Sequence, residues 1–365
     1  MRPWRRADRI PRIGVVVHGP EVVDSGSVLR LINYLSGWGE VHAVLGGTMG
    51  RVAVIDAGLE ELIDISSRRK PSQAIKDLQV VSDLIVVLNQ AKSRESGLGF
   101  GARIAAKIDA LKPVVQVDCG GRFVALLAGE ARELAHAIAE ELDLEVLALP
   151  QRCSISKEGD GVRRRLTGVL PGELITVNGV VVARAIESSV EIREKGGRII
   201  EARGAELKPH GLEKLPSIDL ERAIIRSGSI RRTRARPRLG SCRGQGAVLI
   251  DHCAEEALDA ARGASVAVTV GDDTTAIAGD VLARLGIPVI GIVDGDIDGL
   301  SAETLMAKGS VLVKVQPGSD DEVGRLVRKE IFGGEDRASL EADALARMIV
   351  DIAEECVLHI ELFGN

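Results

Sequence analysis

Within residues 265–300, SVAVTVGDDTTAIAGDVLARLGIPVIGIVDGDIDGL, carboxylates gather in two short turns. Asp272 and Asp273 stand ahead of Thr274 and Thr275, and Asp294, Asp296 and Asp298 follow among glycines. Carboxylates so concentrated repel one another unless a cation sits among them. A hard divalent metal, Mg²⁺ carrying a phosphate, is the economical partner. In that arrangement Asp294, Asp296 and Asp298 hold metal. Asp272, Asp273 and Asp251 serve as further ligands or as base, and Thr274 and Thr275 meet phosphate. A local reading stands beside it, because Asp and Thr cap helices and Asp-Gly pairs make turns. A calcium EF-hand loop opening at Asp294 fails, since its twelfth position is Leu305 where a bidentate Glu is needed.

The elements around these turns must bring them together. Residues 265–270 and 287–293 are apolar runs of strand length, and residues 276–285 between them carry Ile277, Val281, Leu282 and Leu285 at helical spacing. Strand, helix and strand in this order make a right-handed βαβ unit with parallel strands. Both acidic turns then emerge at one carboxyl edge, where open α/β sheets bind ligands.

Residues 12–150 show the same rhythm. Strands are expected at 13–17, 40–45, 83–88, 114–117 and 144–147, with helices at 26–35, 102–111 and 131–142, so a parallel sheet covered on both faces follows. Three strand ends carry unusual loops: His18-Gly19-Pro20-Glu21, Gly46-Gly47-Thr48-Met49-Gly50 and Asp118-Cys119-Gly120-Gly121. The glycine turn could offer backbone N–H groups to a phosphate, which makes His18, Gly46, Gly47 and Thr48 candidate substrate contacts. Tight-turn chemistry is the competing account of the same glycines.

From residue 151 the pattern becomes short strands broken by Asn178-Gly179 and Lys195-Gly196-Gly197, so residues 151–215 read as a small antiparallel sheet or barrel. Ser217-Ile218-Asp219 reads as a helix start. The run RSGSIRRTRARPRLGSCRG follows, with Arg226, Arg231, Arg232, Arg234, Arg236, Arg238 and Arg243. These are candidates for bidentate phosphate contacts, Arg231 and Arg232 foremost, beside a solvated basic loop or an ion-pair network as the competing account. Residues 216–365 complete the chain with the acidic βαβ unit and an amphipathic helix over 339–357. The expected class is α/β: two Rossmann-like parallel-sheet domains, 1–150 and 216–365, flanking the small β domain.

The totals exclude several classes. At 45 % hydrophobic and 27 % charged residues the 365-residue chain reads as a soluble globular protein, and no apolar run approaches a membrane span of ~20 residues. The net charge of −6 and the 2 % aromatic content argue against a nucleic-acid partner. Five cysteines without a CxxC pair support neither a disulfide framework nor a zinc ribbon. The basic start, Arg2, Arg5 and Arg6, precedes only the short apolar run 13–17, too brief for a secretory signal, so a cytoplasmic location is expected. Few Cys and Met with many Glu and Arg suit a heat-adapted organism.

Three resemblances add to this. Residues 112–149, with VVQVD, GGRFVALLAG and ELAHAIAEEL, resemble the amino-terminal region of CbiG, a family that opens a lactone on a corrin precursor; this implies a related fold and cofactor metabolism. Residues 246–301, beginning with AVLID and carrying Asp294-Gly295-Asp296 as an Asp-x-Asp, are similar to the Toprim domain of primases and topoisomerases, which implies metal at those aspartates. The chain as a whole resembles an uncharacterised family of archaeal, largely methanogen, proteins. The expected function is a Mg²⁺-dependent enzyme acting on a phosphate- or nucleotide-containing substrate at the carboxyl edge of the last sheet. Two alternatives are a protein of tetrapyrrole, corrinoid or other archaeal cofactor synthesis, and a non-catalytic nucleotide-sensing or assembly subunit. The partner is then a small phosphorylated ligand or cofactor precursor, with homo-oligomer formation left open.

Overall fold

The computed structural model describes residues 10–48, 50–109, 111–150, 155–159, 161–178, 180–228, 236–242, 244–251, 253–295 and 305–364. They belong to two compact units, Met1–Ala235 and Arg236–Asn365.

The first unit opens with β1 (Arg12–His18), α1 (Glu21–Asp24), α2 (Ser27–Ser36), β2 (Glu40–Leu45), α3 (Arg51–Ala57) and β3 (Ile63–Asp64). It continues with α4 (Pro71–Val81), β4 (Leu84–Asn89), α5 (Arg94–Ala105), β5 (Val114–Asp118), β6 (Phe123–Ala128), α6 (Arg132–Leu142) and β7 (Glu145–Leu147). These seven strands form one sheet in the order β3-β2-β1-β4-β5-β6-β7. Helices cover both faces, so strand residues are apolar without alternation. Val15 and Val17 face the core shared with α2 and α6, while Val16 between them faces the core under α4 and α5. Each of these three valines is fully buried, worth ~1.5–3 kcal/mol apiece.

The all-parallel expectation needs one correction. β5 and β6 pair antiparallel, because the four residues between them close a hairpin and cannot supply a crossover. A second correction concerns the helix expected at 102–111. The helix is α5, which starts eight residues earlier behind the Ser93 cap and ends at Ala105. Its glycines lower intrinsic propensity, but packing demands them: a Cβ on Gly97 would lie 2.5 Å from an Asp118 carboxylate oxygen, and one on Gly101 would lie 2.0 Å from Gln116 Oε1.

The rest of the first unit is antiparallel. It comprises β8 (Ile155–Glu158), β9 (Gly161–Thr167), β10 (Leu174–Val177), β11 (Val180–Ala185), β12 (Ser189–Lys195), β13 (Arg198–Arg203), β14 (Ala205–Leu207), α7 (Pro209–Lys214) and β15 (Ile225–Ser227). Two four-stranded sheets, β14-β11-β10-β15 and β13-β12-β9-β8, share a core built on Ile175, Val177, Val182, Val190 and Ile192. The hairpin at Asn178 is the one its sequence announces, with Val177 facing Val180. The helix expected from Ser217 is a single turn closed by Asp219, which accepts from Glu221 N–H at 2.9 Å and so caps without propagating. Because β15 pairs with β10, the antiparallel part runs beyond residue 215.

The second unit holds β16 (Ala247–Asp251), a 3₁₀ turn at Ala254–Glu256, α8 (Ala257–Ala260), β17 (Val266–Val270), α9 (Asp272–Ala283), β18 (Val289–Val293) and β19 (Ser310–Val315). It ends with α10 (Asp320–Glu330), β20 (Arg337–Ala338), α11 (Ala342–Ala353) and β21 (Val357–Phe363). The sheet order is β20-β16-β17-β18-β19-β21, with β16 to β19 parallel and both outer strands antiparallel. The βαβ unit read from residues 265–293 is therefore present. The amphipathic tail is α11, packed on the sheet through Leu345, Ile349 and Ala353, followed by a strand rather than more helix. Among the described residues no helix is long and apolar enough to cross a membrane.

Asp118 fixes the carboxyl ends of β4 and β5. Fully buried, it accepts the N–H groups of Gly121 (2.8 Å) and Ala91 (3.1 Å) and the side-chain amides of Asn89 (2.7 Å) and Gln116 (3.4 Å). Replacing it by Ala strands the Gly121 and Ala91 amides and the Asn89 side-chain amide, while Gln116 keeps its bond to the Gly97 carbonyl. Asp118→Ala should lower the unfolding free energy by about 3 kcal/mol in denaturant titration. A loss below about 0.5 kcal/mol would show that the latch is dispensable.

Candidate functional site

The acidic edge of the second unit comes first, since the sequence places most of its candidates there. Asp272 starts α9, and its Oδ1 accepts the N–H groups of Asp294 (3.2 Å) and Gly295 (3.3 Å). Asp294, itself buried, accepts Gly318 N–H at 2.7 Å through Oδ2. The fold thus brings Asp272 and Asp294 together, and their oxygens staple the loops that follow β17, β18 and β19. Asp251 ends β16 and lies 3.6 Å from Arg328, which also binds Asp336. Thr274 is buried. Thr275 is wholly enclosed, its hydroxyl 2.8 Å from that of Thr269, so it is a packing residue against Gly291.

The Asp273 side chain, Asp296, Asp298, Arg231 and Arg232 lie outside the described residues. Among those described, no group of three or more His, Cys, Asp or Glu is arranged to hold a metal. A cation at Asp272 and Asp294 would compete with the main-chain amides already bound there.

The first unit presents a different edge. Its strand order reverses between β1 and β4, whose last residues His18 and Asn89 are register partners. Ligands favour such a switch point. His18 Nδ1 lies 2.7 Å from the Gly46 carbonyl. A carbonyl only accepts, so Nδ1 carries the proton and Nε2 presents a bare lone pair. The ring is stacked on Phe100 of α5, with centroids 4.5 Å apart and planes 13° apart. Gly47 stands over it, where a Cβ would lie 3.7 Å from Nδ1.

The glycine turn departs from the phosphate-cradle expectation. Gly46 N–H donates to Val17 O (2.8 Å) and Gly47 N–H to Arg69 O (2.7 Å), so neither amide is available to an anion. Gly46 is small because a Cβ there would lie 2.5 Å from Val16. The turn instead offers a carbonyl that sets the His18 tautomer. Thr48 lies in the same turn, partly buried, and its carbonyl accepts from Arg51 N–H.

What surrounds His18 is cationic. Burial depresses its protonation, and Arg103 of α5 and Arg226 of β15 depress it further by charge, against the Gly46 bond and Glu21. Burial also pushes the Arg103 guanidinium down to about 10, with Arg164 of β9 adding to the effect. Arg103 remains charged at neutral pH, and among the described residues it has no carboxylate and no hydrogen-bond acceptor. Arg164 is buried, and among the described residues its hydrogen-bond partners are the carbonyls of Leu220 (2.9 Å) and Ala223 (2.7 Å). Lys107 is lowered by burial and then by Arg164, Lys70 and Arg103.

The antiparallel strands are locked over this edge by Lys92. From the loop after β4, its ammonium binds Glu173 beside β10 and the Ser227 hydroxyl of β15 (2.7 Å). Burial pushes the Glu173 carboxyl up, but the Leu170 amide and Lys92 outweigh it and hold the group below its ordinary range. Gly168 closes on Ser93 and Ser96, where a Cβ would meet Ser93 Oγ at 2.5 Å.

Sequence reasoning reached His18, Gly46, Gly47 and Thr48, named Arg226 only as one of seven arginines in a run, and missed Phe100, Arg103 and Arg164. The available signal was the spacing of Phe100 and Arg103, three apart on a helix and so on one face. Arg164 lies in an alternating strand, where its inward position follows from the register with Ile192.

Because the folded ring resists protonation, the unfolded chain takes up this proton first as pH falls below 6.5, and stability falls with it. The native chain should therefore lose more unfolding free energy than His18→Gln between about pH 7 and about pH 5. Equal losses would mean that the His18 ring is solvated and ordinary.

Residues 15–335 match the family model described as "Uncharacterized protein conserved in archaea (DUF2117)". The chain is also 38 % identical over 332 residues to Uncharacterized protein MJ0065 of Methanocaldococcus jannaschii, covering 88 % of this chain and 91 % of that one. On both grounds, the chain belongs to that archaeal family.

Proposed function

We propose that the cleft at the carboxyl ends of β1 and β4 binds a small molecule bearing phosphate or carboxylate groups, and that His18 exchanges a proton with it. The observation that carries the reading is Arg103, a half-buried guanidinium whose charge is felt at the His18 ring, with neither carboxylate nor hydrogen-bond acceptor among the described residues. An anion there would be held by charge-assisted bonds from Arg103 and Arg226, each worth ~1.5–3 kcal/mol. It would also cancel the two charges that help depress His18, so binding takes up a proton. The order of β3, β2, β1, β4 and β5 supports a Rossmann-like reading of this sheet. A carboxylate-rich cofactor precursor and a phosphorylated metabolite both suit the charge, and a ligand that binds without turnover would make the protein a sensor.

Titration calorimetry with inorganic pyrophosphate and with citrate tests this. The native chain should bind at least one of them, and Arg103→Ala should weaken it by roughly 10- to 150-fold. An Arg103→Ala chain that binds as tightly as the native one contradicts the reading.

A second reading keeps the Mg²⁺-dependent phosphate enzyme at the second unit, favoured by the meeting of Asp272 and Asp294 at the start of α9. There Asp294→Asn should abolish Mg²⁺-dependent nucleotide binding while Arg103→Ala leaves it intact. Nucleotide binding unaffected by Asp294→Asn removes that reading.

A further inference from the structure

The two edges of the second unit's sheet are finished differently. One edge is β20, two residues long, whose Arg337 guanidinium is tied to the carbonyls of Ala260 and Arg262. Short, charged edge strands of this kind discourage further pairing. The other edge is β21, seven residues long and paired on one side with β19. Along it Leu358, Ile360 and Leu362 are 56 %, 39 % and 75 % exposed. Register with β19 sets Ile360 opposite Val313 and Leu362 opposite Val311. Directly opposed residues share a face, so Ile360 and Leu362 lie on the side covered by α11, as does Val357 opposite Val315, while Leu358 is the extra residue of a bulge between them. Met348 of α11 is exposed as well.

We propose that β21 is a homodimer seam, at which a second copy of this chain lays its own β21 antiparallel about a two-fold axis at Ile360. The run His359-Ile360-Glu361 at the centre of the strand is self-complementary about that residue. Ile360 meets Ile360 of the second copy, and the apolar Leu362 runs toward the bulged Leu358 at each end of the seam. His359 meets Glu361 on the opposite face, twice over because the contact is isologous.

Other registers lose this match. A shift of one residue sets Glu361 against Leu358 or against Ile360. A shift of two sets His359 against itself or Glu361 against itself, and directly opposed like charges destabilise a sheet. The pairing joins two six-stranded sheets into one continuous sheet and covers the apolar row of each copy with that of the other.

Sedimentation of the full chain is the test, with the expected species at twice the 38.7 kDa chain mass. Ile360→Lys places two ammonium groups face to face and should abolish that species while the unfolding transition and pyrophosphate binding are retained. Cysteine substitution reads the register independently of that variant's folding. Under mild oxidation Ile360→Cys should give a disulfide-linked dimer, whereas Leu358→Cys and the native chain, with its own cysteines, should not. A native chain that sediments as a monomer at all concentrations overturns the proposal. So does a dimer that survives Ile360→Lys, or cross-linking of Leu358→Cys as fast as that of Ile360→Cys.

Discussion

A guanidinium drawn out of water keeps its charge, and without a carboxylate nearby it raises the energy of the folded chain until an anion arrives. Arg103 is half-buried with no carboxylate partner among the described residues, and the first unit is assembled so that its helix cannot move away. Helix α5 lies tight on β5 because Gly97 and Gly101 give way to Asp118 and Gln116. Lys92, bound to Glu173 and Ser227, holds the antiparallel strands against the loop after β4. Those strands bring Arg226 within electrostatic reach of His18 and Arg164 within reach of Arg103. Net acidity of −6 over the whole chain makes this local cationic surface an arranged feature, not a reflection of composition.

Carboxylates at strand ends serve the opposite purpose. Asp118 in the first unit, and Asp272 and Asp294 in the second, each accept main-chain amides from a neighbouring loop. An acid at the carboxyl edge of a parallel sheet sees several N–H groups whose strand partners have ended, and accepting them satisfies donors that would otherwise be stranded. The same residues that suggest a metal site in sequence therefore do structural work in the fold. A ligand-binding role for the second unit would have to be added to that work.

Much of the architecture was legible because it depends on periodicity. The continuous apolar runs around Val15, Val86 and Val268 announce strands buried on both faces, and Asn178-Gly179 announces its hairpin. Glycine function was less legible. The turn at Gly46 and Gly47 reads equally as an anion cradle or as close packing, and only the hydrogen bonds to Val17 and Arg69 decide between them. Helix α5 was misplaced because its glycines lower propensity while serving contacts made across the sheet. The cationic cleft was hidden for a related reason: Arg103, Arg164 and His18 lie far apart in sequence on a helix, an antiparallel strand and a parallel one. An arginine whose partner is missing looks, in one dimension, like any other arginine.

The account turns on whether this cleft accepts an anion, and a crystal structure of the native chain grown with pyrophosphate tests it most directly. The prediction is density for the anion between the guanidinium groups of Arg103 and Arg226, within hydrogen-bonding reach of His18 Nε2. An empty cleft with Arg103 paired to a carboxylate of the chain, or an anion held only at the acidic edge of the second unit, would contradict it.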